Sequence, residues 1–133
     1  MRFLVLLFGT SLYKPFSFIV RLALLTKGVK VGKNFYVEAV PRLTINGQPG
    51  NIKIGSNVSI RGEIDLRNRE NGRIVVEDNV RFDTGCRIVA ARDAVVMFKT
   101  GADIGLFSLF NCGADVTVGE GVMIGGYAHV QSS

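Results

Sequence analysis

One phrase recurs along most of this chain. VKVGKNFYV, IKIGSNVSI, IVVEDNVRF, VMFKTGADI and VTVGEGVMI begin at residues 29, 52, 74, 96 and 116, so the repeat is about 22 residues long. Within each repeat, apolar anchors fall at steps of six: Val31, Val37 and Leu43; Ile54, Ile60 and Leu66; Val76, Phe82 and Ile88; Phe98, Ile104 and Phe110; Val118, Ile124 and Val130. With 47% of the chain hydrophobic, fifteen apolar residues at fifteen fixed positions would arise by chance on the order of once in 10⁵. An amphipathic helix needs apolar spacings of three and four, and a hairpin does not repeat at this distance. Three strand-sized steps and a return describe a triangular coil with one strand on each face.

The intervening positions fit that geometry. Val29, Ile52, Ile74, Val96 and Val116 precede the first anchors by two, and Phe35, Val58, Val80, Ala102 and Val122 follow them by four, so alternate residues point inward as pleating requires. Asn34, Asn57, Asn79, Gly101 and Gly121 follow the first anchors by three. These residue types tolerate the left-handed backbone that a sharp corner needs. The third side is longer and leaves room for INGQPGN, NRENG, AARDA and NCGA, which read as mostly solvated turns stacked on one edge.

A chain of 133 residues accommodates one core. The reading is therefore an N-terminal helical segment over residues 1–28 and a β-helix domain over 29–133. Charge divides in the same place. Residues 1–33 hold Arg2, Lys14, Arg21, Lys27, Lys30 and Lys33 without an acid, whereas the rest carries 10 basic and 11 acidic residues. No arginine-rich run or zinc-finger spacing accompanies these cations, so no nucleic-acid partner is expected. Cys86 and Cys112 lie in apolar settings and read as buried free thiols, which favours a reducing, cytoplasmic location.

The first 28 residues are apolar, but Lys14, Pro15 and Arg21 interrupt any run long enough to span a bilayer. The stretch Phe3 to Phe8 is short for a secretory core and no small-residue cleavage site follows it. Two roles fit: a helix, broken near Pro15, packed over an open end of the coil, or a segment in peripheral contact with the inner face of an anionic membrane.

IGSNVSIRG, VGEGVMIGGYAHV and VGKNFYVEA resemble the hexapeptide repeats of the acyltransferase family whose consensus is an aliphatic residue, a Gly or acid, two free positions, a small residue and a free one. The resemblance spans about residues 29–133 and implies a left-handed parallel β-helix of about five triangular coils. The handedness comes from the resemblance alone, since the general chirality rule favours right-handed crossovers. It also implies an O-acetyltransferase that takes acetyl-CoA as acyl donor and a sugar or polysaccharide precursor as acceptor. Such enzymes are homotrimers with active sites between subunits.

Acetyl transfer to a hydroxyl needs a general base and donors for the developing oxyanion. His129 is the only histidine and directly precedes an inward anchor, so it points outward. It is the candidate catalytic base, and the outward Asn111 and Gln131 are candidate acceptor contacts. The plainer alternatives are a surface imidazole stacked with Arg42, Asp65, Arg87 and Leu109, and an amide ladder supporting the turn. In the branch most resembled, a segment like AHVQSS is followed at once by a pair whose His is catalytic. The resemblance thus also implies a fragment, with that His and most of the coenzyme A groove beyond Ser133. No metal site is expected: a zinc carbonic anhydrase of related fold needs three His ligands. The competing reading is a non-catalytic structural or interaction module.

Overall fold

The computed structural model of the protein describes residues 12–133. Helix α1 (Tyr13–Thr26) leads into fifteen short strands, numbered in chain order, that form three parallel five-stranded sheets. The first sheet holds β1 (Lys30–Val31), β4 (Ile52–Ile54), β7 (Arg73–Val76), β10 (Val95–Phe98) and β13 (Val116–Val118). The second holds β2 (Tyr36–Val37), β5 (Ser59–Arg61), β8 (Arg81–Asp83), β11 (Asp103–Ile104) and β14 (Met123–Ile124). The third holds β3 (Arg42–Gly47), β6 (Ile64–Glu70), β9 (Cys86–Ala90), β12 (Leu109–Cys112) and β15 (His129–Ser132). Each sheet takes every third strand, so the chain visits the faces in turn and completes five coils of a parallel β-helix.

The fifteen anchors form three straight rows. Val31, Ile54, Val76, Phe98 and Val118 pair in register along the first sheet. Val37, Ile60, Phe82, Ile104 and Ile124 do so along the second, and Leu43, Leu66, Ile88, Phe110 and Val130 along the third. All but Leu43, Ile124 and Val130 are buried, and those three pack against the core while partly exposed. At the centre, Phe98 meets Phe82 and Phe110 edge to face, with centroids 5.1 and 5.0 Å away. That arrangement suits the aromatic quadrupoles. Val122 belongs to the inward set yet is exposed, because its coil has a coil stacked on only one side.

The corners after the first sheet turn where the sequence places them: Asn34, Asn57, Asn79, Gly101 and Gly121 all have φ between 55° and 77°. The corner before the third sheet was not legible in the same way. There Gly85 has φ 80°, but Phe107 and Tyr127, at φ 53° and 60°, hold the left-handed backbone despite their aromatic side chains. Their rings stack with centroids 5.7 Å apart.

The long third side is less solvated than the sequence suggests. Its strands run on past the anchors, so the inward alternation continues to Asn68, Ala90 and Cys112, all buried. Only the tips, such as Asn71, Arg92 and Asp93, are exposed turns. Buried Asn68 donates to the Gln48 carbonyl (3.0 Å), while its Oδ1 has no partner among the described residues.

Helix α1 lies over the outer edge of coil one. It buries Ser17, Val20 and Leu24 against that coil. The Ser17 hydroxyl accepts from the otherwise unpaired Val37 N–H (2.9 Å), and Arg21 Nε donates to the Gly32 carbonyl (2.7 Å). Pro15 does not break this helix. It occupies the first turn, where an N–H would have no intrahelical partner. Among the described residues no helix is long and apolar enough to cross a membrane. The stretch Phe3 to Phe8 and the reading of a secretory core there fall outside the described residues.

Candidate functional site

The outer surface of the third sheet carries the three residues singled out by sequence. Because β12 and β15 pair in parallel register, Asn111 stands directly opposite Gln131 and Leu109 directly opposite His129. Neighbouring strands lie about 4.8 Å apart and alternate residues share a face. His129, Gln131 and Asn111 therefore occupy one exposed patch two strands wide. The inward Val130 between His129 and Gln131 fixes that orientation, since a slip of one residue would turn both side chains into the core.

His129 makes no side-chain hydrogen bond or ion pair with any described residue. It sits on β15 with its side chain exposed. The imidazole is thus open to an incoming ligand but is not positioned by a second group. Asn111 and Gln131 make no side-chain hydrogen bonds with described residues, so their amides can each offer a donor and an acceptor outward. Among the described residues no three His, Cys, Asp or Glu side chains cluster as metal ligands.

Continuing along the same row, His129 and Leu109 are followed by Arg87, Asp65 and Arg42. The sequence suggests a plain surface stack here. In the fold Arg42, Asp65 and Arg87, but not Leu109 or His129, line a hollow of about 340 Å³, together with Glu63, Gly85, Cys86 and the apolar Ala39, Val40 and Ile64. Gly85 borders it at the corner position that Phe107 takes in the next coil, with the Phe107 ring packed over its Cα. Asp65 is held by Arg67, whose guanidinium approaches to 3.1 Å. That leaves Arg42 and Arg87 as the flanking cations of the hollow.

Cys86 borders the hollow but is not a nucleophile there. Its side chain is buried, within 3.3 Å of the Gly105 carbonyl, and burial pushes the thiol pKa up, so it stays protonated. Cys112 is buried in the same way and its pKa is likewise raised by burial. Both thiols are free, as the sequence reading has them. On the second sheet, Tyr36 donates to Glu38 Oε2 (2.5 Å), and burial, followed by that carboxylate, raises its phenol to about 12. It is no acid catalyst at neutral pH.

Comparison with family models, curated proteins and solved structures finds no match for the chain. The geometry alone defines the class: a triangular parallel β-helix whose third face presents an imidazole, two amides and a hollow lined by charges of both signs.

Proposed function

We propose that the protein is an acyl-CoA-dependent O-acyltransferase, an acetyltransferase acting on a sugar or polysaccharide precursor. The observation that carries this reading is the shared outer patch of His129, Asn111 and Gln131 on a hexad-repeat prism. In the proposed reaction Asn111 and Gln131 hold acceptor hydroxyls while His129 Nδ1 or Nε2 takes the proton of the attacking one. The hydroxyl oxygen bonds to the thioester carbon, the C–S bond breaks, and His129 returns the proton to the departing sulfur, so coenzyme A leaves as the thiol. No acyl-enzyme forms, which agrees with buried, protonated cysteines. A homotrimer would supply further walls for the acyl donor, which one exposed face does not enclose.

The test is thiol release from acetyl-CoA with hexose and oligosaccharide acceptors, run with the protein and with His129→Ala. Acceptor-dependent release that falls at least a hundredfold in the variant supports the reading. Absence of release from both proteins across the acceptor series would sink it and leave a non-catalytic interaction module. Sedimentation of the intact chain as a monomer would remove the trimeric part of the proposal.

A further inference from the structure

The outward side of helix α1 has no function in sealing coil one. Phe18 and Ile19 are 58% and 65% exposed, and Leu22 and Leu25 continue the same apolar stripe along the helix. A contiguous apolar surface of this kind marks an interaction site in a folded protein. Its surroundings are mainly basic. Lys14, Lys27, Lys30 and Lys33 are exposed around it, Arg21 is partly exposed, and the first acid in the sequence is Glu38. Among the described residues none of these cations forms an ion pair. Beside the stripe opens a hollow of about 580 Å³ lined by Lys14, Arg21 and Lys33 together with Phe18 and Tyr36.

We propose that this end of the prism docks on an anionic lipid bilayer, with α1 in the interface plane. The stripe Phe18–Leu22–Leu25 and Ile19 enter the acyl boundary. Lys14, Arg21 and Lys33 face lipid phosphates, one of which can seat in the hollow. Exposed apolar residues alone would equally suit a protein partner. The excess of cations, with the Glu38 carboxylate engaged by Tyr36, selects a surface of negative charge. α1 is fixed to coil one through Ser17 and Arg21, so the prism axis would stand away from the membrane, leaving the third face in solution.

Flotation of the intact protein with vesicles tests this, using phosphatidylcholine alone and phosphatidylcholine with about one quarter phosphatidylglycerol, at about 0.05 and 0.5 M NaCl. Partition into the anionic vesicles at low salt is expected, reduced about tenfold or more by neutral lipid or by high salt. Lys14→Glu with Lys27→Glu should lower partition at least tenfold, and so should Phe18→Ser with Ile19→Ser. All four side chains lie outside the core, and an unchanged far-ultraviolet circular dichroism spectrum checks that the variants fold. Equal binding to neutral and anionic vesicles, or no binding to either, overturns the proposal. So does a self-associated wild type that ignores vesicles and becomes monomeric in the Phe18 and Ile19 variant, which would make the stripe a contact between copies.

Discussion

The ring of Phe107 stacks on that of Tyr127, and both residues hold a left-handed backbone that aromatic side chains rarely adopt. The same Phe107 ring lies over Gly85, where an added Cβ would come within 2.2 Å of it. Gly85→Ala should therefore cost about 1–2 kcal/mol for its own positive φ and about 0.5–1.5 kcal/mol more for displacing the stack. In a Phe107→Ala background the second part vanishes. A double-mutant cycle by urea denaturation measures the coupling, and strictly additive losses would contradict this account.

Phe98 sits between Phe82 and Phe110 and is fully buried. Phe98→Ala should lower stability by about 3–5 kcal/mol through lost contacts and a cavity the stacked coils cannot close. Phe98→Leu keeps most of the volume and should cost under about 1.5 kcal/mol. Denaturation midpoints at constant slope read both.

Ser17 ties the helix to the first coil. Its hydroxyl is the acceptor for the Val37 N–H, which no other strand reaches. Ser17→Ala leaves that buried donor unsatisfied and should cost about 1–3 kcal/mol. Amide exchange at Val37 should accelerate, with little change at Ile88, and equal acceleration at both would argue against a local role.

Alkaline stability follows from the buried thiols and from Tyr36. Burial raises Cys86 and Cys112 above the ordinary thiol value of 9.0, and Tyr36 is raised from 10.0 to about 12. In each case the folded state keeps a proton that the unfolded chain gives up. The associated stability is complete below the unfolded values and is lost as pH rises through the folded ones. Stability should thus decline from about pH 9, and Tyr36→Phe should flatten the portion between pH 10 and 12. A thermal midpoint that stays level over that range in the wild type would refute this.

The repeat made the fold legible because every anchor carries a large apolar side chain and every first corner an Asn or Gly, so period and chirality agree position by position. Phe107 and Tyr127 escaped that reading because residue type speaks against positive φ and only stacking makes it tolerable. Asn68 escaped it for a related reason: a polar letter in NRENG reads as a turn, whereas the strand simply continues inward. His129, Asn111 and Gln131 were legible as outward residues through their odd offsets from Val130 and Phe110. Their direct opposition, and the hollow beside Gly85, depend on register between coils, which no single repeat contains.

Helix α1 lies over one end of the prism, and at the other, among the described residues, β13, β14 and β15 pair on one side only. In a stack where each coil is steadied by those beside it, every joint between coils rests on its own pairings. Asn111 belongs to coil four and Gln131 to coil five, so a molecule gripped by both amides would act as a clasp across the joint between those coils. Occupancy of that patch and pairing of β12 with β15 are then linked, and a ligand bound there would slow exchange in these two strands.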